Sequence, residues 1–195
     1  MPDRIEDLRR SFERSLRAGD RSPRTITLYG QSVEFFCRWL AEQGRPQTVD
    51  EVTRAAIREW LNSLMDRGQA ANTRLTRHRG LYRFCQWLED EGELPKNPMV
   101  KMEVPTVNEE PAGPVVSDDD LRKLFATCSN SKAFADRRDL AMFRVLMDCG
   151  VRVGELCSMR VAPDARGTRW LDLDAHVALV NGKTGHRFVY FADKS

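Results

Sequence analysis

Five prolines, Pro95, Pro98, Pro105, Pro111 and Pro114, fall within the 23 residues from Gly92 to Pro114, together with Gly113 and the acidic pair Glu109–Glu110. Each proline removes a backbone donor and fixes φ, so no regular helix crosses this stretch. A chain of 195 residues is long enough for one or two small domains, and the proline-rich stretch divides it. The expectation is a domain over 1–91, a linker over 92–116 and a second domain over 117–195.

The first half reads as four helices. Ile5, Leu8, Phe12 and Leu16 recur at helical spacing after Asp3. Ser22-Pro23 is a helix start, because proline at the first position loses no useful hydrogen bond. Ile26, Tyr29, Val33, Phe36, Cys37 and Leu40 then form an apolar stripe ending near Gln43-Gly44. A third helix spans about Thr53 to Met65. A fourth runs from about Asn72 to Glu89, burying Leu75, His78 or Leu81, Tyr82, Cys85 and Leu88. Phe36-Cys37-Arg38-Trp39-Leu40 recurs as Phe84-Cys85-Gln86-Trp87-Leu88, so the second and fourth helices are expected to share a face and pack together. In the second half, Ser117 caps a helix opening on Asp118, Asp119 and Asp120, as the helix dipole favours. The segment from about Ala135 to Cys149 is apolar almost all round and is expected at the centre of the core. Gly150 ends it, and Glu155 to Met159 form a short further helix. Trp170–Leu173, His176–Val180 and Arg187–Phe191 read as strands. The fold class is mainly α with a small antiparallel β-sheet.

Composition excludes several classes. No run approaches the roughly 18 apolar residues of a membrane span. The N-terminus lacks the apolar core of a secretory signal, and the five cysteines include no CxxC pair. They read as reduced thiols of a cytoplasmic protein, and no metal site is expected. The net charge is only +2, but basic residues cluster. Arg74, Arg77, Arg79 and Arg83 precede the next acid, Glu89, and a looser run holds Arg14, Arg17, Arg21 and Arg24. Such clusters in a nearly neutral chain point to one polyanion-facing surface.

The segment most informative about chemistry is Asp148-Cys149-Gly150-Val151-Arg152-Val153-Gly154-Glu155-Leu156. An arginine between two valines needs a partner, because burying an unpaired guanidinium is costly. A local reading makes Arg152–Glu155 an ion pair fastening the start of the short helix. Gly182-Lys183-Thr184 ends like a phosphate-binding loop, but Val177 stands where that motif needs glycine. His78, His176 and His186 lack metal-ligand spacing.

Taken in order, the motifs resemble the tyrosine recombinases, the phage-integrase family. The first catalytic box of that family is a hydrophobic helix, then Gly, a hydrophobic residue, Arg, two residues, Glu and Leu, as at 150–156. A lysine in the turn between the second and third strands of a small sheet matches Lys183. The Ser-x-x-Thr-x-x-x-Tyr start of the second helix matches Ser22, Thr25 and Tyr29, and Asn97-Pro98 matches the exit of the first domain. The resemblance implies a four-helix SAM-like core-binding domain followed by the first part of an α+β catalytic domain. It implies that Arg152 clamps the scissile phosphate, that Lys183 protonates the leaving 5′-oxygen, and that Glu155 supports the arginine, with no metal or cofactor. The family's later His-x-x-Arg box and nucleophilic tyrosine have no match, so this polypeptide is expected not to cleave DNA alone. Double-stranded DNA is the implied partner, contacted by Arg24, Thr25, Thr73, Arg74, Arg77, Arg79 and Arg83. On a helix, Arg74 and Arg77 face about 160 degrees away from Arg79 and Arg83, and the first pair is the preferred contact. Tetramers on DNA are implied for the complete protein only, and a monomer for this chain. The alternative functions are a non-catalytic DNA-binding regulator or truncated relative, and a helical protein–protein adaptor.

Overall fold

The computed structural model describes residues 4–107, 113, 115–129, 132–160, 170–182 and 185–192. It divides into two compact units, Met1–Pro111 and Ala112–Ser195.

The first unit holds α1 (Ile5–Ala18), α2 (Pro23–Glu42), α3 (Arg54–Asp66) and α4 (Ala71–Asp90), with a short 3-10 turn at Val49–Glu51. Side-chain caps set two of the starts. Ser22 Oγ accepts from the Thr25 N–H at 3.2 Å ahead of Pro23, and Thr53 Oγ1 accepts from the Ala56 N–H at 3.2 Å. Each cap satisfies a donor that the first helical turn leaves open. The predicted stripes are the core: Ile5, Phe12, Val33, Phe36, Leu40, Ile57, Trp60, Leu81, Phe84 and Leu88 are all buried. Full burial of such a side chain contributes about 1.5–3 kcal/mol. The repeated pentapeptide has its structural counterpart, since Phe36, Cys37 and Leu40 of α2 and Phe84, Cys85 and Leu88 of α4 enter one cluster. Gly80 permits the close contact of these helices, because a Cβ there would lie 2.6 Å from Ser32 Cβ and 3.2 Å from Tyr29 Cα.

The linker expectation meets a different arrangement at its N-terminal end. Prolines forbid a helix but not packing, and Met99 and Asn97 are buried against the first unit. Asn97 Oδ1 accepts from the Met99 N–H at 2.9 Å, and its backbone N–H donates to Glu89 at 3.1 Å. Arg54 donates to the carbonyls of Val100 and Lys101 at 2.9 and 3.1 Å. The first unit therefore runs well past residue 91.

The second unit comprises α5 (Asp118–Ser129), α6 (Phe134–Cys149), α7 (Val153–Cys157), β1 (Leu171–Asp172), β2 (Val177–Gly182) and β3 (Gly185–Tyr190). The three strands form an antiparallel sheet in sequence order, with β2 and β3 in register from Val177 opposite Tyr190 to Gly182 opposite Gly185. Its small core is Val151, Ala178, Val180 and Val189, flanked by Val145, Leu146 and Cys149 of α6. The expectation of a central α6 is corrected: none of its residues is fully buried, and Phe134 and Met147 are exposed. The charges Asp136, Arg137, Arg138, Asp139, Arg144 and Asp148 break its apolar run, and among the described residues it meets α5, α7 and β3 along part of its surface.

Candidate functional site

Gly150 ends α6 in the left-handed conformation at φ 57, with its N–H donating to the Leu146 carbonyl at 3.1 Å. An L side chain adopts that conformation reluctantly, which accounts for glycine here. The reversal buries Val151 and brings Arg152 to the start of α7, where its backbone N–H lacks an intrahelical partner. Glu155 supplies one. Its Oε2 accepts the Arg152 N–H at 2.9 Å, and its Oε1 accepts Arg152 Nη1 at 2.9 Å. The carboxylate is 3% exposed, whereas the Arg152 side chain is 74% exposed. The arginine is thus fastened through Nη1 and otherwise largely exposed among the described residues. This is the local ion pair that the three-residue spacing suggests.

A third donor completes the carboxylate's shell. Arg187 Nη2, from β3, reaches Glu155 Oε2 at 2.8 Å. The Arg152 N–H, followed by the side chains of Arg187 and Arg152, holds the Glu155 carboxyl below the ordinary value of 4.5, against the opposing effect of burial. Gly182 on β2 makes room, since a Cβ there would stand 2.6 Å from Glu155 Oε1. Two guanidinium charges and one carboxylate leave the cluster with a net charge of +1. Sequence reading assigned no role to Arg187, yet a signal was present. The period of two in β3 puts Arg187 on the face of buried Val189, opposite buried Val180, where a charge needs an acidic partner. Lys183 lies outside the described residues.

The proposed DNA-contacting residues are spread over the first unit. Arg24 and Thr73 are exposed, while Thr25 is engaged in the α2 cap, 2.9 Å from Ser22 Oγ. Arg77 stacks on Phe35 at 4.0 Å, and burial holds its guanidinium below its ordinary pKa, with one N–H unpartnered. Arg74 lines a groove of about 570 Å³ beside Arg54, Arg58 and Lys101. Arg79 and Arg83 line a second, of about 400 Å³, with Tyr29, Tyr82, His78 and again Lys101. Arg74 and the Arg79/Arg83 pair, which helix geometry places on different faces, thus flank the same segment around Lys101. Arg54, Arg58 and Lys101 were absent from the sequence-based set, although the four-residue spacing of Arg54 and Arg58 is a helix-face signal.

Among the described residues, no three His, Cys, Asp or Glu side chains gather as metal ligands, and no helix is long and apolar enough to cross a membrane. Comparison with known proteins gives consistent results. A family model described as the phage integrase N-terminal SAM-like domain matches residues 10–92. Tyrosine recombinase XerC of Bacillus pumilus is 28% identical over 168 residues, which is 86% of this chain and 52% of that protein. Tyrosine recombinase XerD of Oceanobacillus iheyensis is 27% identical over 142 residues, 72% of this chain and 46% of that protein. The chain spans about half the length of the curated relatives it matches. A solved lambda integrase dimer bound to a COC' core site shares the fold, with TM-score 0.66 and 18% identity over 97% of this chain and 49% of that one. Over residues 10–92 the helical unit is thus similar to the phage integrase N-terminal SAM-like domain, and the fold of the chain is that of the lambda integrase structure. The chain as a whole is similar to tyrosine recombinases at 27–28% identity.

Proposed function

We propose that this chain is the DNA-engaging portion of a site-specific recombinase that, as a whole protein, breaks and rejoins DNA through a 3′-phosphotyrosine intermediate. The observation that carries the reading is the Arg152 guanidinium, largely exposed yet pinned by a buried carboxylate. A planar fork held in this way can engage two phosphate oxygens and stabilise charge as it develops. In the complete reaction a tyrosine phenol attacks phosphorus, the bond to the 5′-oxygen breaks, and Lys183 delivers the proton to that oxygen. Arg152 holds the phosphate and Glu155 holds Arg152. The first unit supplies phosphate contacts along the DNA from the grooves around Arg54, Arg58, Arg74, Arg79, Arg83 and Lys101, with Arg24, Thr25, Thr73 and Arg77 extending the surface. The protein acts on DNA in the cytoplasm, and this chain by itself is a monomer.

The test is fluorescence anisotropy of labelled duplex DNA across a salt series. Affinity is expected to fall linearly on a log–log plot, and Arg74→Ala and Arg79→Ala are each expected to reduce the slope by about 1. Absence of binding at low salt by the folded chain refutes the reading and favours a protein–protein adaptor.

A further inference from the structure

The Glu155 carboxylate is shared between two arginines from different elements, and Arg152 accounts for only part of its environment. Both contacts made by residue 152 are local, at a separation of three residues. A local ion pair with one exposed partner is weak by itself. Arg187 changes this. It reaches across from β3 to the oxygen that also accepts the Arg152 N–H, while Gly182 of β2 closes over the other oxygen. With Oε2 held by donors from two elements, the carboxylate cannot turn about its terminal torsion without breaking one of them. Oε1 therefore stays aimed at Arg152 Nη1.

We propose that Arg187 is a positioning residue for the phosphate-clamping arginine, holding Glu155 so that Glu155 in turn holds Arg152. The clamp's purpose rests on the recombinase reading, whereas the positioning rests on geometry alone. Arg187 has a second effect on the same site. Glu155 by itself would cancel the charge of Arg152, and the second guanidinium restores a net positive charge where an anion is to bind. Gly182 belongs to the device as the position that lets the carboxylate stand so close to β2.

The experiment uses the 195-residue chain, following the Glu155 side-chain carboxyl by carbon NMR through an acid titration and the Arg152 Nε–Hε resonance by nitrogen NMR. Arg187→Gln is expected to raise the Glu155 midpoint by about one pH unit, the usual size of losing an adjacent opposite charge. The Arg152 resonance is expected to move to the averaged position of free arginines. Arg187→Lys, which keeps the charge but not the fork, is expected to restore the midpoint more fully than the resonance. Gly182→Ala is expected to release Arg152 with Arg187 still in place. A Glu155 titration and an Arg152 resonance unchanged in Arg187→Gln would overturn the proposal. If that variant loses the β2–β3 amide pattern, Arg187→Lys and Gly182→Ala decide, and wild-type Arg152 resonances in both overturn it equally. Duplex affinity separates this from the function. If Arg187→Gln frees Arg152 while Arg152→Ala binds duplex like wild type, the positioning stands and the recombinase reading falls.

Discussion

Gly80→Ala sets two effects of known size against each other. Alanine in a helix interior is favoured over glycine by about 1 kcal/mol, so propensity alone predicts a more stable protein. Packing predicts the reverse. The new methyl would meet Ser32 Oγ, lie 2.6 Å from Ser32 Cβ and sit 3.2 Å from Tyr29 Cα. None of these can yield cheaply: Ser32 is buried with its hydroxyl donating to the Leu28 carbonyl at 2.8 Å, and Tyr29 Cα is backbone. Overpacking of this kind costs about 1–3 kcal/mol, and because α2 and α4 must part, the upper end applies. The net expectation is a loss of about 1–2 kcal/mol. Urea unfolding followed by tryptophan fluorescence reads it in the first unit, which holds Trp39, Trp60 and Trp87. With a slope of about 2 kcal/mol/M, the midpoint drops by roughly 0.5–1 M. Ser32→Gly removes the nearest obstacles, so the double variant should recover part of the loss, giving a favourable coupling in the mutant cycle. Gly80→Ala as stable as wild type, or no recovery in the double variant, would refute the close approach of the two helices.

Two further outcomes follow from the polar network. Asn97→Ala strips the Met99 N–H of its buried acceptor and is expected to cost about 1–3 kcal/mol in the same urea assay. Glu155 holds its proton less tightly folded than unfolded, so its stabilising contribution is complete above the ordinary carboxylate value and fades as pH falls through the lower folded one. The protection factors of the β2–β3 amides, with the intrinsic exchange rate at each pH divided out, should therefore fall on acidification below about pH 4.5, and Glu155→Gln should remove the part of that dependence this carboxyl supplies.

Elements with a clear apolar period are legible in the sequence itself. The stripes on α1 to α4 appear where Ile5, Phe12, Phe36 and Phe84 place them, and Ser22-Pro23 marks the start of α2. The features that a sequence does not disclose are governed by partners far along the chain. Composition reads α6 as central, but a helix is buried only if something covers it, and periodicity is silent on how much cover exists. The prolines after Gly92 signal the absence of helix, while Asn97 is held by hydrogen bonds to Glu89 and Gln86 of α4, and in turn holds Met99, through contacts that no local pattern reveals. At the site, Arg152 and Glu155 are three residues apart and can be paired from spacing alone. Arg187 lies 32 positions beyond Glu155, and finding it requires the strand register.

Each unit is held together by different physics, which bears on how the site works. In the first, 21 buried apolar residues form one cluster, so its helices are fixed by packing and its basic side chains project from a stiff frame. In the second, the fully buried apolar cluster is Val151, Ala178, Val180 and Val189, with partly buried neighbours around it. Such a core by itself specifies orientation weakly, and the precision that the proposed phosphate clamp needs must come from directional contacts. The carboxylate of Glu155 provides them, tying the start of α7 to β3 through two guanidinium groups and sitting against β2 only because residue 182 lacks a side chain. The cost of burying that charge is offset by three donors, and the return is an arginine whose free nitrogens face solvent in a preset orientation. In the proposed phosphate-binding role, ordering the guanidinium beforehand lowers the entropy lost on binding. It also explains why the least exposed charge in the cluster, Glu155, controls the most exposed one, Arg152.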